Sequence, residues 1–417
     1  MKKNAFVLCL IVLCCQLLAG CAYQSYEKFS DIMQQSDNTF DNHVQQNNPS
    51  SDNNSYSPDI NNDFTSTPQN FSNNTVYENG IPVVSDIYSL RKLVNDECSK
   101  GNFNVSFIYE GDTDELNSIN FSDLRSSPST SVSYSGNEYT VEFTPYPGEK
   151  ISIAYLSGDT SALSNDELEV LEIAELIVDS LKLCSHDPIE LEMNIHDLLV
   201  ETIEYKYSNA LINDTENIPR HMTAIGAILD GSANCQGYAD AFYMLAKMAG
   251  FNVGKMAVEA EIGHMVNTIE LDGKWYVIDV TFDDPIGKGD NTIPSYSHFN
   301  IGRDRCGEYE WNELMEYNPI TEYTDEKFYY FSTHYSDYEH NYKKAFDDVE
   351  ELCQYVIDEW TDTGRNYFNT MLIDNVMDSS TFTEYLSSAF QNTGRACSYS
   401  IEYNDNKRDT FFTITIN

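Results

Sequence analysis

Positive charge is scarce in this chain. Lys and Arg total 24 against 67 Asp and Glu, a formal net charge of −43, and a surface that acidic repels polyanions, which excludes nucleic acid as a partner. Acidic surfaces keep extracellular proteins soluble, which is one reading, and a preference for basic substrates is the other. Metal-ligand spacing is also missing. Cys98, Cys184, Cys306, Cys353 and Cys397 are scattered, with no Cys-x-x-Cys pair and no histidine at ligand spacing, so no zinc site is expected. The N-terminal apolar run from Ala5 to Leu18 is short for a bilayer span. Aliphatic side chains are few between residues 21 and 80, where Asn, Ser, Asp, Gln and Thr dominate. Such a stretch buries too little apolar surface to offset chain entropy and reads as a disordered tether.

What is present begins with a targeting segment. Lys2 and Lys3 precede the apolar run, and Leu18-Ala19-Gly20-Cys21 resembles the lipobox of a bacterial lipoprotein signal. The expectation is a signal peptide over 1–20, lipidation at Cys21, and a folded part held by that lipid outside the bacterial cell membrane. An ordinary signal peptide or a membrane anchor is the alternative. An extracytoplasmic location permits disulfides, and Cys353 with Cys397 is the first pair to test. The other scattered cysteines read as small apolar fillers.

The chain is organised around residues 232–285. Apolar side chains at Ala239, Phe242, Tyr243, Leu245, Ala246 and Ala249 recur with a helical period that Gly250 closes, which puts Cys235 at the N-terminus of a buried helix. A thiol there faces the positive end of the helix dipole, which favours the thiolate. Residues 264–271 and 274–282 read as two strands joined by a tight Asp272-Gly273 turn. His264 and Asp279 become near cross-strand partners in that hairpin. Cysteine, histidine and aspartate then have the order and placement of a nucleophile, its base and the carboxylate that orients the base. Gln236 and Tyr238 are substrate-groove candidates, though the helical period commits one of them to packing. The backbone N–H of Cys235 is one expected oxyanion donor, and the sequence does not identify a second.

NCQGYADAFYMLAKMAG followed by GHMVNTIELDGKWYVIDVTFDDP resembles the bacterial transglutaminase-like superfamily. The resemblance takes in IHDLLVETIEYKY upstream and SYSHFNIG downstream, roughly residues 165–335. It implies a papain-like α+β core with Cys235 as nucleophile, His264 as base and Asp279 as orienting carboxylate. It also implies acyl transfer or hydrolysis on protein or peptide amides at the cell surface, without metal or organic cofactor. Two positions depart from the family pattern: Val266 stands where an aromatic is common, and Phe282 where a tryptophan is common. A catalytically inactive scaffold for extracellular protein interaction is the other reading that the same residues allow.

Around this core, over 161–340, lie an N-terminal unit at 81–160 and a C-terminal unit at 341–417. Ile87, Leu90, Val94, Asp96 and Glu97 match Val349, Leu352, Val356, Asp358 and Glu359 at one constant offset, and both segments continue into strands. Two copies of a small α+β unit are therefore expected. Ser164 and Glu167 form a capping box for a helix over 164–183, and a second helix is expected from about Pro188 to Glu204. His196 lies on its apolar side and reads as a core histidine rather than a catalyst. Asp283-Asp284-Pro285 reads as a strand-ending turn in preference to a calcium cluster.

Overall fold

The computed structural model describes residues 76–207, 218–259, 263–284, 296–302, 328, 343–372, 375–394, 398–405 and 410–416. Cys21, the signal segment, the tether up to residue 75, Pro285, Cys306 and Cys397 lie outside the described residues. The described chain mixes helices and sheets throughout and is α+β. None of its helices is long and apolar enough to cross a membrane.

In the N-terminal unit, β1 (Val76–Glu78) turns through Asn79 and Gly80, both at positive φ, into β2 (Ile81–Val84). Helix α1 (Ile87–Ser99) is capped by Asp86, whose side chain accepts from Ser89 N–H at 2.7 Å. It buries Ile87, Leu90, Val94 and Cys98, a three-and-four spacing that lays one face on the sheet. Then follow β3 (Asn104–Tyr109), α2 (Thr113–Ser118), β4 (Thr130–Ser135) and β5 (Glu138–Phe143). The sheet order is β1-β2-β3-β5-β4, with β2 and β3 parallel and the other pairs antiparallel.

The middle unit starts at α3 (Pro147–Ser157), followed by α4 (Asn165–Cys184), α5 (Pro188–Thr202) and the short strand β6 (Glu204–Tyr205). Ser164 and Glu167 make the reciprocal capping box at the head of α4. After residues 218–230 come β7 (Ser232–Ala233), α6 (Cys235–Ala249), β8 (Asn252–Glu259), β9 (Gly263–Leu271) and β10 (Lys274–Ile278). The last three form an antiparallel sheet in the order β10-β9-β8. One apolar cluster joins α4, α5, both faces of α6 and this sheet. Ile151 of α3 belongs to it, and Gly148 N–H donates to Asp240 of α6 at 3.0 Å. Helix α3, grouped by sequence with the N-terminal unit, is thus built into the middle one.

The C-terminal unit comprises β11 (Lys343–Phe346), α7 (Val349–Thr363), β12 (Tyr367–Leu372), α8 (Ser379–Thr393), β13 (Tyr399–Asp405) and β14 (Thr410–Ile416). Its sheet runs β11-β12-β14-β13, with β11 and β12 parallel and the remaining pairs antiparallel. That matches β2-β3-β5-β4 in order and direction, and Val349, Leu352 and Val356 are buried in α7 as Ile87, Leu90 and Val94 are in α1. Cys353 is a buried free thiol.

Candidate active site

Helix α6 is held at both ends. Asn234 is its N-cap, accepting from Gly237 N–H at 3.2 Å, and Gly250 at φ 107 closes it. The first turn presses against the chain at residue 221. Asn234 N–H donates to His221 O at 2.9 Å, and a Cβ on Gly237 would meet that same carbonyl oxygen at 2.5 Å. Glycine is required there by close approach. Deeper in the helix, Asp240 is fully buried and accepts from Gly148 N–H at 3.0 Å, Ala224 N–H at 2.9 Å and Lys255 Nζ at 3.0 Å. Nearly every α6 side chain is buried, whereas Cys235, at its first position, is half-buried and carries a free thiol.

The other two residues come from the β9–β10 hairpin. Asp272 and Gly273 both take positive φ, as a two-residue turn with this twist demands. The register pairs Lys274 with Leu271 and Ile278 with Asn267, so Asp279, one residue past the end of β10, lies diagonally across from His264 on the same face. His264 Nε2 donates to Asp279 Oδ2 at 2.7 Å. The other carboxylate oxygen accepts the backbone N–H groups of Thr281 and Phe282, each at 3.1 Å, so the carboxylate cannot swing away without losing three hydrogen bonds. Cys235 faces the same imidazole closely enough to favour its charged form. Burial alone would discharge the His264 ring, but the Asp279 carboxylate and the sulfur outweigh it, and its pKa is pushed up to about 10. The Phe282 ring covers the imidazole, stacked at a centroid distance of 4.3 Å.

Cys235, His264 and Asp279 therefore converge, a half-buried sulfur beside an imidazolium whose far nitrogen is held by a carboxylate. This arrangement can supply a nucleophile, a proton donor and a fixed ring orientation. The groove candidates fare differently. Tyr238 is fully buried, its hydroxyl between Ile203 O at 3.0 Å and the Asp284 carboxylate, so it packs beneath the site and lines no groove. Gln236 is 5 % exposed, with its Nε2 unpaired among the described residues, and it too is an inward side chain.

Two further groups were not visible in the sequence pattern. Tyr205 on β6 pairs with Ala233 of β7 in parallel register, two residues before the cysteine, and is half-buried. Its hydroxyl pKa is raised by burial and by the charges of Cys235, Tyr207 and Asp279. The only signal was its position in the EYKY run, which has no period of its own. The second group lies behind the Asp279 turn. His196 is buried as expected, but it is bound to Asp197 at 2.9 Å and to Asp283 at 3.2 Å. Asp283 and Asp284 are correspondingly more than a strand-ending turn: both are buried, and their carboxylates hold His196, His298, Ser297 and Tyr238.

No family model matches the chain, and no curated protein matches it. Among solved structures it is similar to a transglutaminase at 12% identity, over 51% of this chain and 52% of the other, with a TM-score of 0.26. It is also similar to a provisionally assigned cysteine protease from Cytophaga hutchinsonii (12% identity, 37% and 62% coverage, TM-score 0.23). A provisionally assigned protease from Parabacteroides distasonis aligns at 8% identity over 75% and 65%, with a TM-score of 0.25. The chain spans about half the length of the first of these. Likeness at this level places the chain in no family, and the chemistry rests on the site itself.

Proposed function

We propose that this chain is a cysteine enzyme of the transglutaminase-like class, acting on protein or peptide amides through an acyl-enzyme thioester. The observation that carries the reading is the shared imidazole: His264 is bonded to Asp279 at 2.7 Å, and the sulfur at the head of α6 is near enough to favour its charged form. His264 takes the proton of the Cys235 thiol, and the thiolate Sγ attacks the amide carbonyl, forming the C–S bond. The C–N bond breaks as His264 passes its proton to the leaving amine. Asp279 keeps the ring in register and stabilises its charge throughout. The backbone N–H of Cys235, at the helix N-terminus, faces the developing oxyanion. Water or an amine then attacks the thioester, giving hydrolysis or transamidation respectively.

The same reading carries the lipid anchor at Cys21 and the surface location, and treats the two flanking units as copies of one α+β unit. Supporting the latter are their common strand order and the matched buried positions of α1 and α7. The test is intact-mass and peptide mapping after exposure to cell-surface protein extract. The expected result is an acyl adduct on Cys235 that is absent from Cys235→Ala, with a labelled primary amine separating transfer from cleavage. No adduct, amine incorporation or cleavage with any amide substrate would leave the scaffold reading in its place.

A further inference from the structure

A fully buried histidine stands behind the site with no part in the acyl transfer. His196, on α5, is 0% exposed, and both of its ring nitrogens meet carboxylates: Nδ1 at Asp197 Oδ1 (2.9 Å) and Nε2 at Asp283 Oδ2 (3.2 Å). An ionised carboxylate only accepts, so a ring placed between two of them donates from both nitrogens and is an imidazolium. The groups facing it are Asp197 and Glu192 from its own helix, Asp283 from the turn after β10, and Tyr296 and Phe299 from the segment 296–302. Tyr296 donates its hydroxyl to Asp197. Burial pushes Glu192 up to about 8, toward its neutral form, so the carboxylates that the His196 charge meets are Asp197 and Asp283, the latter also facing the His298 ring nitrogen Nδ1 at 3.3 Å.

The clamp reaches the site in two steps. Asp283 Oδ1 accepts the backbone N–H of His298 at 3.0 Å and the Ser297 hydroxyl at 3.1 Å, which ties the segment 296–302 to the turn. His298 O in turn accepts the Asp279 N–H at 3.1 Å, and the His298 ring meets the edge of Phe282 at 5.4 Å. Asp279 and Phe282 both hold the His264 ring, one by its nitrogen and one by its face.

We propose that His196 is a positioning residue, a buried imidazolium that through Asp283 and His298 fixes the turn presenting Asp279 and Phe282 to His264. The inference rests on Asp279 being the carboxylate that orients His264. Loss of the clamp frees the turn, weakens the His264–Asp279 bond and makes the His264 ring easier to discharge.

The experiment is imidazole NMR on the full chain, whose 8 histidines can be assigned by single substitutions. In the wild type, His196 is expected to keep both ring N–H protons at a pH where a free imidazole is neutral. In His196→Gln, and independently in Asp283→Asn, the titration midpoint of His264 is expected to fall by about one unit or more. A neutral His196 in the wild type overturns the proposal. So does a folded variant whose melting temperature drops while the His264 midpoint stays, because a merely structural role predicts that result. Should both variants fail to fold, the charge state of wild-type His196 decides alone. The midpoint is read without substrate, so an inactive Cys235 leaves this test standing, and an active enzyme with an unmoved midpoint rejects only the role of His196.

Discussion

The ring of Phe282 lies on the ring of His264, with planes 14° from parallel and centroids 4.3 Å apart. Phe282 is itself 39% exposed, so it acts as a lid between the imidazole and water. Truncation to Ala removes a stacking contact of about 0.5–1.5 kcal/mol and wets the imidazolium. The expected outcome is a roughly tenfold slower acylation of Cys235, since a stabilisation of 1.4 kcal/mol is about a factor of ten. Phe282→Trp, which keeps a ring over His264, retains most of the rate. Single-turnover kinetics on the two variants checks this, and equal rates for Ala and Phe would contradict it.

Gly237→Ala pits helix propensity against contact. Alanine in a helix is favoured over glycine by about 1 kcal/mol, but here the added Cβ meets the His221 carbonyl oxygen at 2.5 Å. Backbone must shift, at a cost of about 1–3 kcal/mol, and the shift falls on the turn that carries Cys235. Both melting temperature and acylation rate are expected to fall. A variant more stable than the wild type would show that the approach is slack.

Lys255 and Asp240 are both buried and bonded at 3.0 Å, and the ammonium also lies 4.3 Å from the Tyr146 ring. Lys255→Met removes the cation from the buried Asp240 carboxylate and leaves it only the backbone N–H groups of Gly148 and Ala224, a loss of about 3–5 kcal/mol. The double variant Lys255→Met, Asp240→Asn should be less destabilised than the single one, because the amide removes the stranded charge. Urea denaturation of the four-member cycle measures the coupling, and additive losses would contradict it.

Stability should depend on pH through the buried histidines. His264 and His196 are raised from the ordinary 6.5 to about 10 and about 9, the first by Asp279 and the second by Asp197 and Asp283, in each case against burial. The folded state therefore binds protons more tightly than the unfolded one. This stabilisation is complete below about pH 6.5 and is lost as pH rises through about 9 to 10. The urea midpoint is expected to fall across that window, with a shallower fall in His264→Gln. A midpoint that is flat there, or the same slope in the variant, would count against charged imidazoles in the folded state.

The sequence carried local signals further than distant ones. The period of α6, the capping box of α4 and the Asp272-Gly273 turn each depend on neighbours within a few residues, and the observed elements begin or end within two residues of where those signals put them. The diagonal meeting of His264 and Asp279 follows from a turn position and the two-residue repeat of strands. What stayed hidden depends on contacts across the chain. Asp283 reaches His196 over 87 residues of sequence, and the segment 296–302, which bonds Asp279 and Val277, shows no strand alternation. Tyr238, a groove candidate by its nearness to Cys235, is buried because its hydroxyl is bound by Ile203 and Asp284, partners 35 and 46 residues away in sequence.

The most direct measurement is the iodoacetamide alkylation rate of Cys235, followed by peptide mass spectrometry at mildly acidic pH in the folded chain and in urea. With the sulfur beside a charged His264, the folded chain should react at least about tenfold faster than the unfolded one, and His264→Ala should remove the excess. A folded Cys235 that reacts no faster than in urea, or one indifferent to His264→Ala, would contradict the account.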